Sequence, residues 1–98
     1  MAAYIVANYT ITNPEGFQEY PPVVMPTLVS HGAEVLAIEL ESEIIEGKPA
    51  PVTVIIKFES KEAAKAWYNS PEYQVALPFR RDNSEGTMVL VDSFVPPV

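Results

Sequence analysis

His31 is the chain's single histidine, and an imidazole is the side chain whose ordinary pKa lets it exchange a proton near neutral pH. It closes an apolar series, Phe17, Tyr20, Val24, Leu28 and His31, spaced as one face of a helix. Two readings stand for it: a catalytic proton carrier in a pocket beneath that helix, or a helix-end residue bonded to nearby groups. Arg80 offers a planar fork of N–H donors suited to a carboxylate. In an acidic chain it serves either as a ligand clamp or in a surface ion pair. Its neighbour Arg81 reads as solvent-facing. Tyr20 and Tyr73 can each bury a ring and present a phenol. Trp67 can line an apolar wall, although large aromatics at helical spacing also build cores. Asn8 is an amide in a strand otherwise meant for burial, so it either anchors core hydrogen bonds or lines a pocket. Glu46 has the chemistry of a general base, but with Glu39, Glu41 and Glu43 it reads as the solvated edge of a hairpin.

Several chemistries are excluded. There is no cysteine, hence no disulfide, thiolate ligand or thiol nucleophile. One histidine and no ligand spacing leave no basis for a protein-held transition metal, and no phosphate-binding glycine loop or nucleophile elbow is present. No metal or cofactor is expected. Six Lys and Arg against a net charge of −7 speak against nucleic acid and against an anionic membrane surface. Met1-Ala2-Ala3 leads directly into strand-like sequence without a signal-peptide pattern, which gives a cytoplasmic expectation.

The elements that would position these residues can be read in order. Tyr4 to Ile11 is a first strand of aromatic and β-branched residues. Asn13-Pro14 is a helix start, with Asn13 as cap. Pro21 and Pro22 conflict with one continuous helix and predict a kink or restart near Tyr20; Gly32 ends it. Ala33 to Leu40 is the second strand, with Leu36, Ile38 and Leu40 on one face, prolonged past a bulge by Ser42 to Glu46. A Gly-Pro loop leads to a third strand, Val52 to Phe58. Ser60 caps a helix over Lys61 to Asn69, and Ser70-Pro71 opens another to about Arg80. Gly86 turns the chain into a last strand, Thr87 to Phe94.

With 98 residues, 48% of them hydrophobic, the chain fits one globular domain over its whole length, residues 1–98. The order β, α, β, β, α, β specifies an α+β, ferredoxin-like arrangement: a four-stranded antiparallel sheet with its helices on one face. Val52, Val54, Ile56 and Phe58 alternate with Thr53, Ile55 and Lys57, and Val89 and Val91 with Met88 and Leu90. A sheet with one wet face should alternate apolar with polar, and these strands are largely apolar on both sides. A second copy of the chain is the simplest cover for the far face, so a homodimer is expected.

The run Phe58-Glu59-Ser60-Lys61-Glu62-Ala63-Ala64-Lys65-Ala66-Trp67-Tyr68-Asn69-Ser70-Pro71-Glu72-Tyr73-Gln74 resembles the signature of the family catalogued as domain of unknown function 1330. Tyr20, His31-Gly32, Glu46-Gly47, Arg80 and Met88-Val89-Leu90-Val91 agree with it, so the resemblance covers nearly the whole chain. Pro21-Pro22 and Asp92-Ser93 depart from the pattern. The resemblance implies the dimeric α/β-barrel superfamily, in which two such sheets pack face to face, and implies no established reaction. Some superfamily members degrade haem with a strand asparagine, a helix tryptophan and a later histidine. Asn8 and Trp67 match the first two in kind, but no histidine follows Trp67, so haem is not an expected cofactor.

Two functions follow. One is a small-molecule binder or cofactor-independent enzyme for an apolar, aromatic or carboxylated compound, with His31, Arg80, Tyr20, Trp67, Tyr73 and Asn8 as site candidates. The other is a non-catalytic homodimeric module.

Overall fold

The computed structural model describes Met1–Pro97. Its elements are β1 (Ala3–Ile11), α1 (Pro14–Phe17), α2 (Tyr20–Ser30), β2 (Glu34–Glu39), β3 (Val52–Phe58), α3 (Lys61–Tyr68), α4 (Pro71–Arg81) and β4 (Ser84–Asp92). The strands form one antiparallel sheet in the order β2-β3-β1-β4, with the two most apolar strands at its centre. This is the ferredoxin-like α+β architecture expected from the element order.

Strand alternation divides the sheet into two faces. Ala3, Ile5, Ala7 and Tyr9 of β1 pair with Phe58, Ile56, Val54 and Val52 of β3, and this set points under the helices. The core there is anchored by Trp67, Tyr73 and Phe58, which are fully buried. The Trp67 ring lies 5.4 Å from Phe58 and 4.1 Å from Tyr73, centroid to centroid. The opposite face carries Tyr4, Val6, Ile55, Val89 and Val91, with Val89 and Val91 exposed. The two-sided apolar pattern therefore leaves hydrophobic side chains on the face the helices do not cover.

The proline conflict resolves as a break. The first helix stops at Phe17 and a second begins at Tyr20, with Pro21 and Pro22 in its first turn, where backbone N–H groups have no helical acceptor. Pro26 interrupts the hydrogen bonding of α2 on its exposed side. At the far end, Gly32 adopts φ +68°; its N–H donates to Val29 and that of Ala33 to Leu28, at 3.2 and 3.0 Å. These two bonds form a Schellman closure, which requires the left-handed conformation glycine accepts most easily. Ser60 and Ser70 cap α3 and α4 by accepting from the backbone N–H of Ala63 and Tyr73, at 3.0 and 3.2 Å.

Four local expectations need correction. Asn13 does not cap with its side chain, which donates instead to Asn83 Oδ1 at 3.1 Å and ties α1 to the end of α4. Ser42 to Glu46 does not extend β2. Pro49 and Pro51 remove donors from the facing chain, and Ser42 closes the loop by donating its N–H to the Pro51 carbonyl at 2.8 Å. The bulge falls earlier, at Leu36: Val35 pairs with Ile56 and Ala37 with Ile55. The extra residue moves Val35 onto the helix side with Ile38 and removes Leu36 from that set. Finally, Gly86 is not a turn. It lies inside β4 opposite Tyr9, where a Cβ would collide with the Asn8 carbonyl and the Tyr9 backbone. The strand consequently starts at Ser84 and ends at Asp92.

Candidate functional site

Tyr20 opens α2 and Arg80 lies in the last turn of α4. These two helices pack closely against each other, whereas α2 makes few close approaches to the strands. The sheet beneath α2 presents small or short residues, Ala7, Val35 and Val54. Between them lies a cavity of about 150 Å³. Tyr9, Phe17 and Trp67 supply aromatic wall, Val24 and Leu28 of α2 form the roof, and Arg80 enters among them. Met25, Ile38 and Leu40 belong to the same lining and are exposed, so they mark the mouth, between α2 and the β2 edge.

The polar groups are concentrated at one end. The Tyr20 and Tyr73 hydroxyls lie 2.9 Å apart, and Arg80 Nε donates to the Tyr73 hydroxyl at 3.3 Å. Tyr73 is fully buried behind the wall, and Tyr20 is 9% exposed. Among the described residues Arg80 makes no ion pair. Burial opposes the charge on Arg80, but the Tyr73 and Tyr20 phenols outweigh it, and its pKa is raised above the ordinary arginine value. Burial pushes the Tyr20 phenol far above the usual phenol range, reinforced by Tyr73 and opposed by Arg80. Tyr9 is raised as well, chiefly by burial, with Arg80 acting against it. At neutral pH Tyr20 and Tyr9 are therefore held as neutral phenols beside the Arg80 cation.

Four of the six candidate residues meet in this region: Tyr20, Arg80 and Trp67 in the cavity wall, and Tyr73 directly behind it. Trp67 has no free polar group to offer, because its indole N–H donates to Thr27 Oγ1 at 2.9 Å, and that hydroxyl donates on to the Val24 carbonyl at 2.7 Å. Its contribution is a ring face.

The other two lie elsewhere. His31 follows the last residue of α2, and its imidazole Nε2 meets Glu72 Oε2 of α4 at 3.2 Å on the outside of the helix pair. The helical stripe that carried Tyr20, Val24 and Leu28 inward ends before it, since His31 sits in the Schellman turn. Asn8 points to the outer face by strand alternation. Its amide donates to the carbonyls of Ala50 and Val52, both at 2.9 Å, and its oxygen accepts from Ala50 N–H at 3.0 Å, which fixes the root of the β2–β3 loop. It is the hydrogen-bond anchor of the two readings offered for it. Glu39, Glu41, Glu43 and Glu46 are all exposed, as a solvated hairpin edge requires.

Phe17, the first residue of that apolar helical series, lines the cavity, and so does Tyr9, which was not a site candidate. The alternation Ala3, Ile5, Ala7, Tyr9 already places Tyr9 on the inward face, and Ala7 beside it is the small residue that leaves room. The rings of Tyr9 and Phe17 lie 5.8 Å apart, and those of Phe17 and Tyr20 5.5 Å apart, so the three form a continuous aromatic lip. Among the described residues no cluster of metal-ligating side chains occurs. No helix among them is long and apolar enough to cross a membrane.

The fold is shared widely. RPA0582, a protein of unknown function from Rhodopseudomonas palustris, superposes with a TM-score of 0.77 at 14% identity, over 97% of this chain and 84% of its own. SnoaB, a cofactor-independent oxygenase from Streptomyces nogalater, gives a TM-score of 0.67 at 13% identity, over 97% and 95%. A putative antibiotic biosynthesis monooxygenase from Bacteroides thetaiotaomicron gives 0.54 at 21% identity, over 98% and 90%. No curated protein matches the chain. Residues 2–94 match the family described as Domain of unknown function (DUF1330), to which this chain belongs.

Proposed function

We propose that the chain binds a small, mostly apolar organic molecule that carries an anionic group, and that any chemistry done there runs without a bound cofactor. One observation carries this reading: a half-buried guanidinium without an ion-pair partner among the described residues lines an otherwise apolar, aromatic-walled cavity. The part of that charge turned from solvent needs a partner, and the Tyr73 and Tyr20 hydroxyls supply only part of that pairing. Cavities on the order of 150 Å³ accept a molecule of about one aromatic ring. The cofactor-independent oxygenase among the structural neighbours is in keeping with this reading, as a likeness of fold.

The reading includes a homodimer. Val6, Ile55, Val89 and Val91 form an apolar patch on the sheet face opposite the helices. A second copy packed there would bury it, and a stable pair needs roughly 1,200 Å² or more of total buried area.

Native mass spectrometry of the purified protein tests the ligand reading, with Arg80→Ala as the comparison. A small molecule retained by the wild type and lost from the variant is the expected result. If the wild type retains nothing, and also binds no member of a panel of one-ring acids, alcohols and hydrocarbons, the reading is wrong.

A further inference from the structure

The direction of each hydrogen bond in the Tyr20–Tyr73–Arg80 chain can be assigned from what each group can give and accept. Arg80 only donates, so Tyr73 Oη accepts from its Nε. Tyr73 has one hydrogen of its own, is fully buried, and has no polar neighbour at its hydroxyl other than Tyr20 and Arg80. Arg80 cannot accept that hydrogen, so Tyr20 Oη does. The reverse order would leave the Tyr73 hydrogen buried with no acceptor, which is the costlier arrangement. Tyr20 Oη therefore accepts from Tyr73, and its own O–H has no acceptor among the described residues. Tyr20 lines the cavity, so that O–H is available to whatever occupies it.

Beyond Tyr73 and the neighbouring Tyr20 hydroxyl, the Arg80 guanidinium has no hydrogen-bond partner among the described residues, and the Tyr9 hydroxyl, a residue of the lining, has none. No carboxylate, amide or imidazole side chain lines the cavity. Its polar groups are thus one donor-only cation, the Arg80 guanidinium, and two phenols, Tyr20 and Tyr9, each with an O–H to give. The guanidinium also polarises the phenols in sequence, Tyr73 first and Tyr20 next, which strengthens the terminal donor.

From this polarity we infer that the cavity selects a one-ring-sized carboxylate, its two oxygens shared between Arg80 and the Tyr20 hydroxyl, and that Tyr20 determines this specificity. The inference rests on the ligand-site reading above and adds what that site prefers. A carboxylate brings acceptors and no hydrogens, so it meets the donors without leaving any opposed pair. An alcohol of the same size can give its hydrogen only to a phenol oxygen and brings no charge to meet the guanidinium. An ammonium group faces the guanidinium and is rejected. A hydrocarbon fills the apolar part and leaves the donors unmet.

Four probes on a common ring separate these cases: benzoate, benzyl alcohol, benzylammonium and toluene, titrated into the full-length protein at pH 7 and followed by NMR shift changes at cavity residues. Benzoate should bind at least ~10-fold more tightly than benzyl alcohol, as expected for charge-assisted against neutral hydrogen bonds, and benzylammonium should not bind. Tyr20→Phe should lower benzoate affinity by ~5-fold or more while leaving toluene affinity within about twofold, because the ring stays and one donor is lost. Arg80→Lys keeps the charge but loses the fork, and should weaken benzoate without admitting benzylammonium. If toluene binds but benzoate has no advantage over benzyl alcohol, or Tyr20→Phe leaves that advantage intact, the specificity inference fails and the site stands. If none of the four binds, the site reading fails and takes this inference with it.

Discussion

The phenol oxygens of Tyr20 and Tyr73, 53 positions apart in the chain, lie 2.9 Å from each other with their rings nearly perpendicular, at 78°. This pair joins the start of α2 to the first turn of α4, and its chemistry makes the fold sensitive to alkali. The folded Tyr20 phenol titrates above the ordinary value of 10.0, so the unfolded chain loses this proton first as pH rises. The contribution is fully present below pH ~10 and is lost above it, by up to ~1.4 kcal/mol for each pH unit until the folded phenol also ionises. Urea unfolding at pH 8, 10 and 11 should show a steepening loss of stability from pH ~10 upward. Tyr20→Phe should flatten that slope at a cost of about 1–3 kcal/mol near neutral pH, because the buried Tyr73 O–H loses its acceptor. A wild-type slope equal to that of Tyr20→Phe would show that the phenol is not held protonated by the fold.

A second buried bond holds the cavity roof. Trp67 Nε1 donates to Thr27 Oγ1 at 2.9 Å, with Trp67 at 0% and Thr27 at 5% exposure. Thr27→Val keeps the shape and strands the indole N–H, so it should destabilise by about 1–3 kcal/mol. Thr27→Val combined with Trp67→Phe should cost less than the sum of the two single changes, because the stranded donor is gone in the double variant. Strict additivity in chemical denaturation would argue against the bond.

The order of elements, both serine caps, the break at Tyr20 and the apolar outer face were legible because each rests on local rules: period, cap chemistry and missing N–H groups. The bulge at Leu36 was not, since nothing in the run Ala33 to Leu40 distinguishes one extra residue from regular alternation. Tyr20, Arg80, Trp67 and Tyr73 were legible as aromatic and guanidinium groups on inward faces. His31 lies outside the cavity for a specific reason. A helical stripe predicts direction only while the helix lasts, and the Schellman turn rotates the chain away at the very next residue. The cavity depends on α2 standing off the sheet, a tertiary distance that no periodicity encodes.

The separation of His31 from Arg80 makes their variants behave differently. His31 pairs with Glu72 at the surface, where Glu72 is 56% exposed, and solvent screens such a pair. His31→Ala should change stability by less than ~1 kcal/mol and leave benzoate or toluene binding unaltered. Arg80→Ala should abolish the preference for benzoate. Equal losses of binding in the two variants, measured by the same NMR titration, would place His31 in the site after all.

Haem should not bind stoichiometrically. Trp67 is fully buried, Asn8 is committed to the β2–β3 loop, and His31 lies outside the cavity, so no axial imidazole faces that space. Titration should give no Soret shift that saturates at one haem per chain.

Neighbouring residues of β3 should report opposite faces of the sheet. Ile55 pairs with Val6 and Ala37 on the face away from the helices, whereas Val54 pairs with Ala7 and Ile38 and lines the cavity. In a homodimer closed over the outer face, Ile55→Asp buries an unpaired carboxylate between two sheets, and association is lost because that charge has no counter-ion. The helix-side core is untouched by the change, so whatever structure the released chain keeps measures how far folding depends on pairing. Val54→Asp instead puts its charge at the cavity wall of each protomer and should weaken ligand binding before it weakens association. Light scattering during size exclusion at micromolar concentration reads both, with the wild type expected at twice the chain mass of 10.8 kDa. Ile55→Asp should run at the chain mass, or unfold, and Val54→Asp as a pair. A wild type that persists at the single-chain mass on dilution and concentration alike would leave the outer apolar face to some other cover and remove the dimer from the proposal.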